Sequence, residues 1–264
     1  MKNMRTTKVF ILLFIVFLLA ACGNAKKTSI IIAGSTSVQP YAEYLAEEYE
    51  KIHLDRMVEV QGGGSGVGIK SAESGVADIG MSSRSLKETE IHLWTIEIAK
   101  DGLAIIIHPD NPVTNLTSEQ ISAIYSAEIT NWSEVGGRDA KIHVMAREEG
   151  SGTRGQFSDL VMFDVRITPK AIIQNSNGAI KQLVANDINS IGFISLGLVD
   201  ASVKAIEING VPATTENVRN ETYPLFRPFL FITKEKPEGY VSDFIDYVLS
   251  DQGKELLRNE GLIP

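Results

Sequence analysis

The run Arg147-Glu148-Glu149-Gly150-Ser151-Gly152-Thr153-Arg154 gathers a guanidinium, hydroxyls and glycines directly behind the apolar, strand-like segment Lys141 to Ala146. Arg154 to Met162, which follows, has helical patterning. A strand that ends in arginine and turns through Gly-Ser-Gly-Thr into a helix has the makings of an anion site. The first helical turn leaves backbone N–H groups without intrahelical partners, and glycine lets an anion approach them closely. Ser151 and Thr153 add hydroxyl donors, and Arg147 adds the full positive charge. Taken alone, the stretch is equally compatible with an ordinary strand-turn-helix in which Ser151 is the N-cap.

The same arrangement occurs twice more. Ser29 to Ala33 breaks into Gly34-Ser35-Thr36-Ser37 before an amphipathic Val38 to Glu50. Val58 to Gln61 breaks into Gly62-Gly63-Gly64-Ser65-Gly66 before Val67 to Ser74. Three such turns point to helix N-termini aimed at one ligand. Catalysis is the rival use of these residues, as in a phosphate-ester hydrolase. Lys70, however, falls one residue too late after Gly68 for a P-loop, and neither Ser65 nor Ser151 lies in a G-x-S-x-G elbow with an identifiable base. His53, His92, His108 and His143 have no metal-ligand spacing, so neither a metal centre nor a cofactor is expected.

The elements that must carry these turns alternate. Ala77 to Met81 reads as a third short strand, Ile96 to His108 as a long apolar one, and Thr117-Ser118-Glu119-Gln120 as a helix start. Trp132, in the turn Asn131 to Gly137, is expected in a satellite core. Further strands are predicted at Ala171 to Gln174, Ile191 to Ile194, Ser202 to Ile208 and Phe229 to Thr233. Helices are predicted over Asn177 to Ala185 and Tyr240 to Leu257, with Asn209-Gly210 as a hairpin-type turn. This is an α/β pattern, a mixed sheet covered by helices, in which ligands bind beyond the carboxyl ends of the strands.

Composition agrees with a globular chain: 264 residues, 44% hydrophobic and 22% charged, with a formal net charge of −8. Lys2, Arg5 and Lys8 belong to a leader, so the mature part is more acidic still, which disfavours nucleic acid as a partner. The leader ends in the apolar run Val9 to Ala21, too short to span a bilayer. Its end, Leu19-Ala20-Ala21-Cys22, resembles a bacterial lipoprotein signal, which implies cleavage before Cys22, lipid on that cysteine and a tether through residue 27. An ordinary signal peptide with a chance cysteine is the alternative. With one cysteine, no intramolecular disulfide can form.

Gly34-Ser35-Thr36-Ser37 with Pro40, Gln61 to Gly66, Asp78-Ile79-Gly80-Met81-Ser82-Ser83-Arg84 and Arg147 to Thr153 occur in that order over nearly the whole mature chain. Together they resemble the phosphate-binding lipoproteins of bacterial phosphate ABC importers. The resemblance implies a two-lobed periplasmic-binding-protein (type II) fold with a two-strand hinge near Gly102 and Pro224. Lobe one would span 28–104 with 225–264, and lobe two 105–224. It also implies a monomeric receptor, lipid-anchored on the extracytoplasmic face of the membrane, that closes on inorganic phosphate and passes it to a membrane permease. The family's ligand positions fall on Thr36, Ser37, Ser65, Arg147, Ser151, Gly152 and Thr153, with Glu149 expected to pair with Arg147. Ser83, followed by Arg84, stands where family members carry an aspartate that accepts the proton of phosphate. That departure keeps sulfate or molybdate open as ligands. Arg84 and Arg154 are compatible with either an ion pair or a ligand contact.

Overall fold

The computed structural model describes residues 28–163 and 165–264. The expected leader, tether and lipid-bearing Cys22 lie outside the described residues. None of the described helices is long and apolar enough to cross a membrane.

The first strand, β1 (Thr28–Gly34), buries Ile30 and Ile32 and pairs in parallel with β2 (Arg56–Gly62) and β3 (Ile79–Ser82). Parallel neighbours need a crossover, and each is a helix. α1 (Gln39–Ile52) carries Pro40 in its first turn, where no N–H is needed, and buries Tyr41, Ala42, Leu45, Ala46 and Tyr49 along one stripe. α2 (Ser65–Ser74) ends at Gly75 in the left-handed conformation.

The long strand β4 (Trp94–Ile107) changes partners midway. Trp94 to Gly102 pair antiparallel with β11 (Phe226–Thr233), whereas Leu103 to Ile107 pair antiparallel with β8 (Ser190–Ser195). β8 continues in parallel to β6 (His143–Arg147), and β6 to β7 (Ile172–Gln174). The strand order β2-β1-β3-β11-β4-β8-β6-β7 is thus one mixed, curled path with β4 near its middle.

Helices cover both faces, because alternate strand residues point to opposite sides. On β4, Leu103, Ile105 and Ile107 enter one core with Phe157, Phe193 and Tyr125, while Ala104 and Ile106 enter another with Ile180 and Val184. The β4 residues before the crossing, Ile98 and Ala99, join a separate core with Tyr41, Phe229 and Phe244. Each fully buried isoleucine contributes about 1.5–3 kcal/mol, so β4 is anchored firmly on both sides of Gly102.

Several local expectations hold. Thr117 and Gln120 form a reciprocal capping box at the start of α3 (Ser118–Ser126). Trp132 is buried and donates to the Asn189 carbonyl. Asn209 and Gly210 both take positive φ, as a tight hairpin turn requires. The expected helix Arg154 to Met162 begins earlier, as α4 (Gly152–Phe157), and widens into a π-helical turn over Ser158–Met162. α5 (Asn177–Ala185) spans the predicted residues.

Two expectations are corrected. Ser202 to Ile208 is not one strand: β9 (Lys204–Ala205) pairs with β4, whereas β10 (Glu207–Ile208) pairs with β5 (Asn115–Leu116) in a separate small sheet. Tyr240 to Leu257 is not one helix. Ser250 leaves the helical region at ψ 165° and its Oγ accepts from the Gly253 N–H, which divides α7 (Gly239–Leu249) from α8 (Asp251–Asn259). The remaining short helix, α6 (Thr215–Arg219), lies between β10 and β11.

Candidate functional site

The three glycine-bearing turns follow β1, β2 and β6 and meet beside the end of β3. Gly34 adopts φ +141°, and a Cβ there would lie 2.4 Å from the Met81 carbonyl oxygen, so only glycine lets β1 turn tightly against β3. The turn then places the Ser35 N–H on the Met81 carbonyl and the Gly34 carbonyl under the Gly64 N–H. Three strand ends are thereby fixed relative to one another before any side chain is considered.

Their side chains form a buried hydroxyl cluster. Ser35 Oγ donates to Ser83 Oγ at 2.9 Å, and the Ser83 N–H donates to Ser65 Oγ at 3.0 Å. Ser35, Ser37, Ser65, Ser83, Ser151 and Thr153 are all buried. From the opposite side, the arginine turn packs on the cluster through Gly152, where a Cβ would lie 2.1 Å from Ser65 Oγ and 2.8 Å from Ser83 Oγ. Ser37 Oγ and Thr153 Oγ1 are 2.7 Å apart, and the Gly66 N–H donates to the Gly150 carbonyl.

Arg147, the last residue of β6, is 1% exposed. Its Nε and Nη2 grip both Glu148 carboxylate oxygens at 3.0 Å, a two-point pairing that fixes the plane of the guanidinium. Nη2 also donates to Thr36 Oγ1 at 3.0 Å and to the Asn175 carbonyl at 3.2 Å. Nη1 has no partner although it is buried. Such an orphaned, charged donor is costly unless something else accepts from it.

Thr36, Ser37, Ser65, Ser83, Arg147, Gly152 and Thr153 therefore come together as expected from the sequence. Ser151 stands beside them as the N-cap of α4, its Oγ accepting from the Arg154 N–H. Glu149 is exposed at the tip of the turn, and the partner of Arg147 is Glu148 instead. Arg154 turns back to donate to the Arg147 carbonyl.

Arg84 is also not in the cluster. Both its terminal nitrogens bind Glu90, at 2.8 and 2.9 Å, and these bonds hold the Glu90 carboxyl below its usual range against the opposing effect of burial. A folded-state pKa below the unfolded value gives stability that is present above about pH 4.3 and is lost as pH falls through the lowered value. Arg84→Ala should cost about 1–2 kcal/mol by urea unfolding at pH 7, with the gap to wild type closing in acid. It should leave anion affinity within about threefold of wild type, and a much larger loss would return Arg84 to the ligand.

Sequence reasoning missed Ser35, Glu148 and Asn177. Asn177 is 1% exposed, and its Nδ2 donates to Ser37 Oγ at 2.7 Å. The signal for it was present: Ser176-Asn177-Gly178 is a fourth polar turn between a strand, β7, and a helix, α5. Among the described residues, no group of three His, Cys, Asp or Glu side chains is placed to hold a metal ion.

Comparison with known proteins places this geometry. Residues 20–252 match the model of the PBP superfamily domain. The phosphate-binding protein PstS of Bacillus subtilis is 30% identical, over 100% of this chain and 95% of the relative. That of Borreliella burgdorferi is 32% identical, over 97% and 98%. A crystal structure of a putative phosphate ABC transporter substrate-binding protein from Clostridium perfringens, with bound phosphate, superposes at a TM-score of 0.87 with 45% identity, covering 89% of this chain and 99% of that one. An α/β chain with this sheet and these turns, similar end to end to such proteins, belongs to the PBP superfamily and, within it, to the PstS family of phosphate-binding proteins.

Proposed function

We propose that this protein is an extracytoplasmic receptor that captures inorganic phosphate between two lobes and delivers it to the membrane permease of an ABC importer. The observation that carries the reading is the free Nη1 of Arg147, a buried cationic donor surrounded by hydroxyls from separate segments of the chain. Binding a dianion out of water requires many fixed donors, since an isolated buried charge would cost tens of kcal/mol. The lobes in this reading are 28–104 with 225–264, and 105–224, which is consistent with cores that change over between Ala99 and Leu103 on β4. Closure then turns on the strands that cross near Gly102 and Pro224. Thr36, Ser37, Ser65 and Ser83 contribute from the first lobe, and Arg147, Ser151, Gly152 and Thr153 from the second.

The lipid anchor on Cys22 and the monomeric state belong to the same proposal and rest on the leader sequence and the family. The protein is a binding protein rather than an enzyme: the buried serines of the cleft, Ser35, Ser37, Ser65, Ser83 and Ser151, bond to one another, to Thr153, to Asn177 or to backbone, and among the described residues no histidine or carboxylate is hydrogen-bonded to any of these five. Calorimetry with phosphate, sulfate and molybdate tests the assignment. Phosphate should bind at micromolar Kd or tighter, about −8 kcal/mol or beyond, and at least about a hundredfold more tightly than sulfate. Comparable phosphate and sulfate affinities would sink the ligand, and turnover of a chromogenic phosphate ester would sink the receptor role.

A further inference from the structure

A hydroxyl can donate or accept, so what a cluster of them offers a ligand depends on which of those capacities the protein has already used. In this cleft several hydroxyls already accept a bond from the protein. Ser83 Oγ accepts from Ser35, Ser65 Oγ from the Ser83 N–H, and Thr36 Oγ1 from Arg147 Nη2. Ser37 Oγ accepts from Asn177 Nδ2 and shares a bond with Thr153 Oγ1 in which either hydroxyl can donate, so one proton of that pair stays available for a ligand. With Arg147 Nη1 added, these groups present donors. The carboxylate beside the guanidinium, Glu148, is occupied by Arg147.

A wall rich in donors suits an anion whose oxygens are all bare. Phosphate near neutral pH carries at least one P–OH, and a hydroxyl buried against donors loses about 1–3 kcal/mol for want of an acceptor. The described cleft holds an acceptor that carries no bond at all: Asn177 Oδ1 is buried and without a partner, on a side chain whose nitrogen already bonds into the cluster. The backbone two residues earlier, at Asn175, accepts from Arg147 itself. Asn177 therefore stands on the same wall as the guanidinium.

We propose that Asn177 is a ligand residue of this cleft and that its Oδ1 accepts the hydrogen bond of the protonated oxygen of phosphate. The amide thereby separates protonated tetrahedral oxyanions from fully ionised ones. This rests on reading the cleft as a phosphate site. A bare sulfate oxygen placed there would face the amide's negative end, while a P–OH would be matched. The amide is uncharged, so it reads the proton without adding repulsion between full charges.

The test is calorimetry of the full chain with inorganic phosphate, arsenate and sulfate, for wild type, Asn177→Ala and Asn177→Asp. In Asn177→Ala, the Kd for phosphate and arsenate should rise about tenfold while that for sulfate is unchanged or falls. Asn177→Asp keeps an acceptor and lacks the amide nitrogen, so it should prefer phosphate over sulfate more strongly than wild type does. Equal weakening of all three anions in Asn177→Ala, or no weakening of phosphate, would overturn the inference. So would an Asn177→Asp protein that loses phosphate as completely as sulfate, because the amide nitrogen would then be the group facing the anion. If wild type fails to bind phosphate at all, the reading of the cleft falls and this inference with it. If wild type binds phosphate and the ratio does not move in Asn177→Ala, this inference falls alone.

Discussion

Arg147→Ala should raise the Kd for phosphate by at least about a thousandfold in a chain that still folds. Charge-assisted hydrogen bonds contribute about 1.5–3 kcal/mol each, and loss of the guanidinium removes them together with the full charge behind them. The Glu148 carboxylate, no longer neutralised by its 3.0 Å pairing, would then stand beside an anion. Arg147→Lys keeps the charge but not the planar fork that binds Glu148 and Thr36 at once, so it should fall between the two, at roughly a hundredfold. Folding is less affected, because Arg147 sits at the end of β6 and the apolar core around Phe157 and Phe193 does not depend on it. Thermal melts separate the two effects: ligand at 100 times Kd stabilises by about 2.7 kcal/mol, so phosphate should raise the Tm of wild type and leave that of Arg147→Ala unmoved. A Kd within about tenfold of wild type in Arg147→Ala would remove the guanidinium from the site.

The acidic composition is compatible with an anion as ligand. A net charge of −8 acts over distance and is screened beyond about 10 Å, whereas the donors of the cleft act at contact distance in a water-poor environment. What matters is that hydroxyls and backbone N–H groups from the ends of β1, β2, β3 and β6 are already held in place by one another. Donors that need not reorganise lose less on binding.

The parts of this arrangement that depend on local chemistry were legible in the chain. Apolar runs mark β1, β4, β6 and β8, and Gly34 and Gly152 stand where a side chain would strike a carbonyl or a serine. Glu148 and Glu149 show the limit. Both are one or two residues from Arg147, and only the course of the turn, closed by the Ser151 N–H on the Glu148 carbonyl, decides which carboxylate bends back to the guanidinium. Asn177 was missed for a different reason. Its partner Ser37 lies 140 residues away, and nothing in Ser176-Asn177-Gly178 says which side chain faces inward. The break at Ser250 was hidden because apolar spacing runs on across it, while the capping serine that ends one helix and begins the next is a single-residue signal.

Asp101→Ala carries the largest expected effect on stability, about 3–5 kcal/mol, or a fall in Tm on the order of 10 °C. Asp101 and Arg227 face each other across β4 and β11, next to the point where β4 leaves β11 for β8. Arg227 Nε and Nη2 donate to Asp101 Oδ2 at 3.1 and 3.0 Å, and Ser195 Oγ, from the end of β8, donates to Oδ1 at 2.8 Å. Both charged side chains are almost wholly buried. Burial pushes the Asp101 carboxyl above its usual range and Arg227 below its own, and pairing offsets this only in part. The pair is thus expensive to bury, yet far more expensive to halve. Without Asp101, the Arg227 guanidinium, whose Nη1 already lacks a partner, would be a buried charge with no counter-ion. Asp101→Leu combined with Arg227→Met should recover most of the loss, since apolar replacements of a buried pair are often neutral or stabilising. Urea unfolding of the single and double variants closes the cycle. A single-variant cost below about 1 kcal/mol, or a double variant no more stable than Asp101→Ala, would mean that the pair is not what holds the crossing of β4 and β11 together.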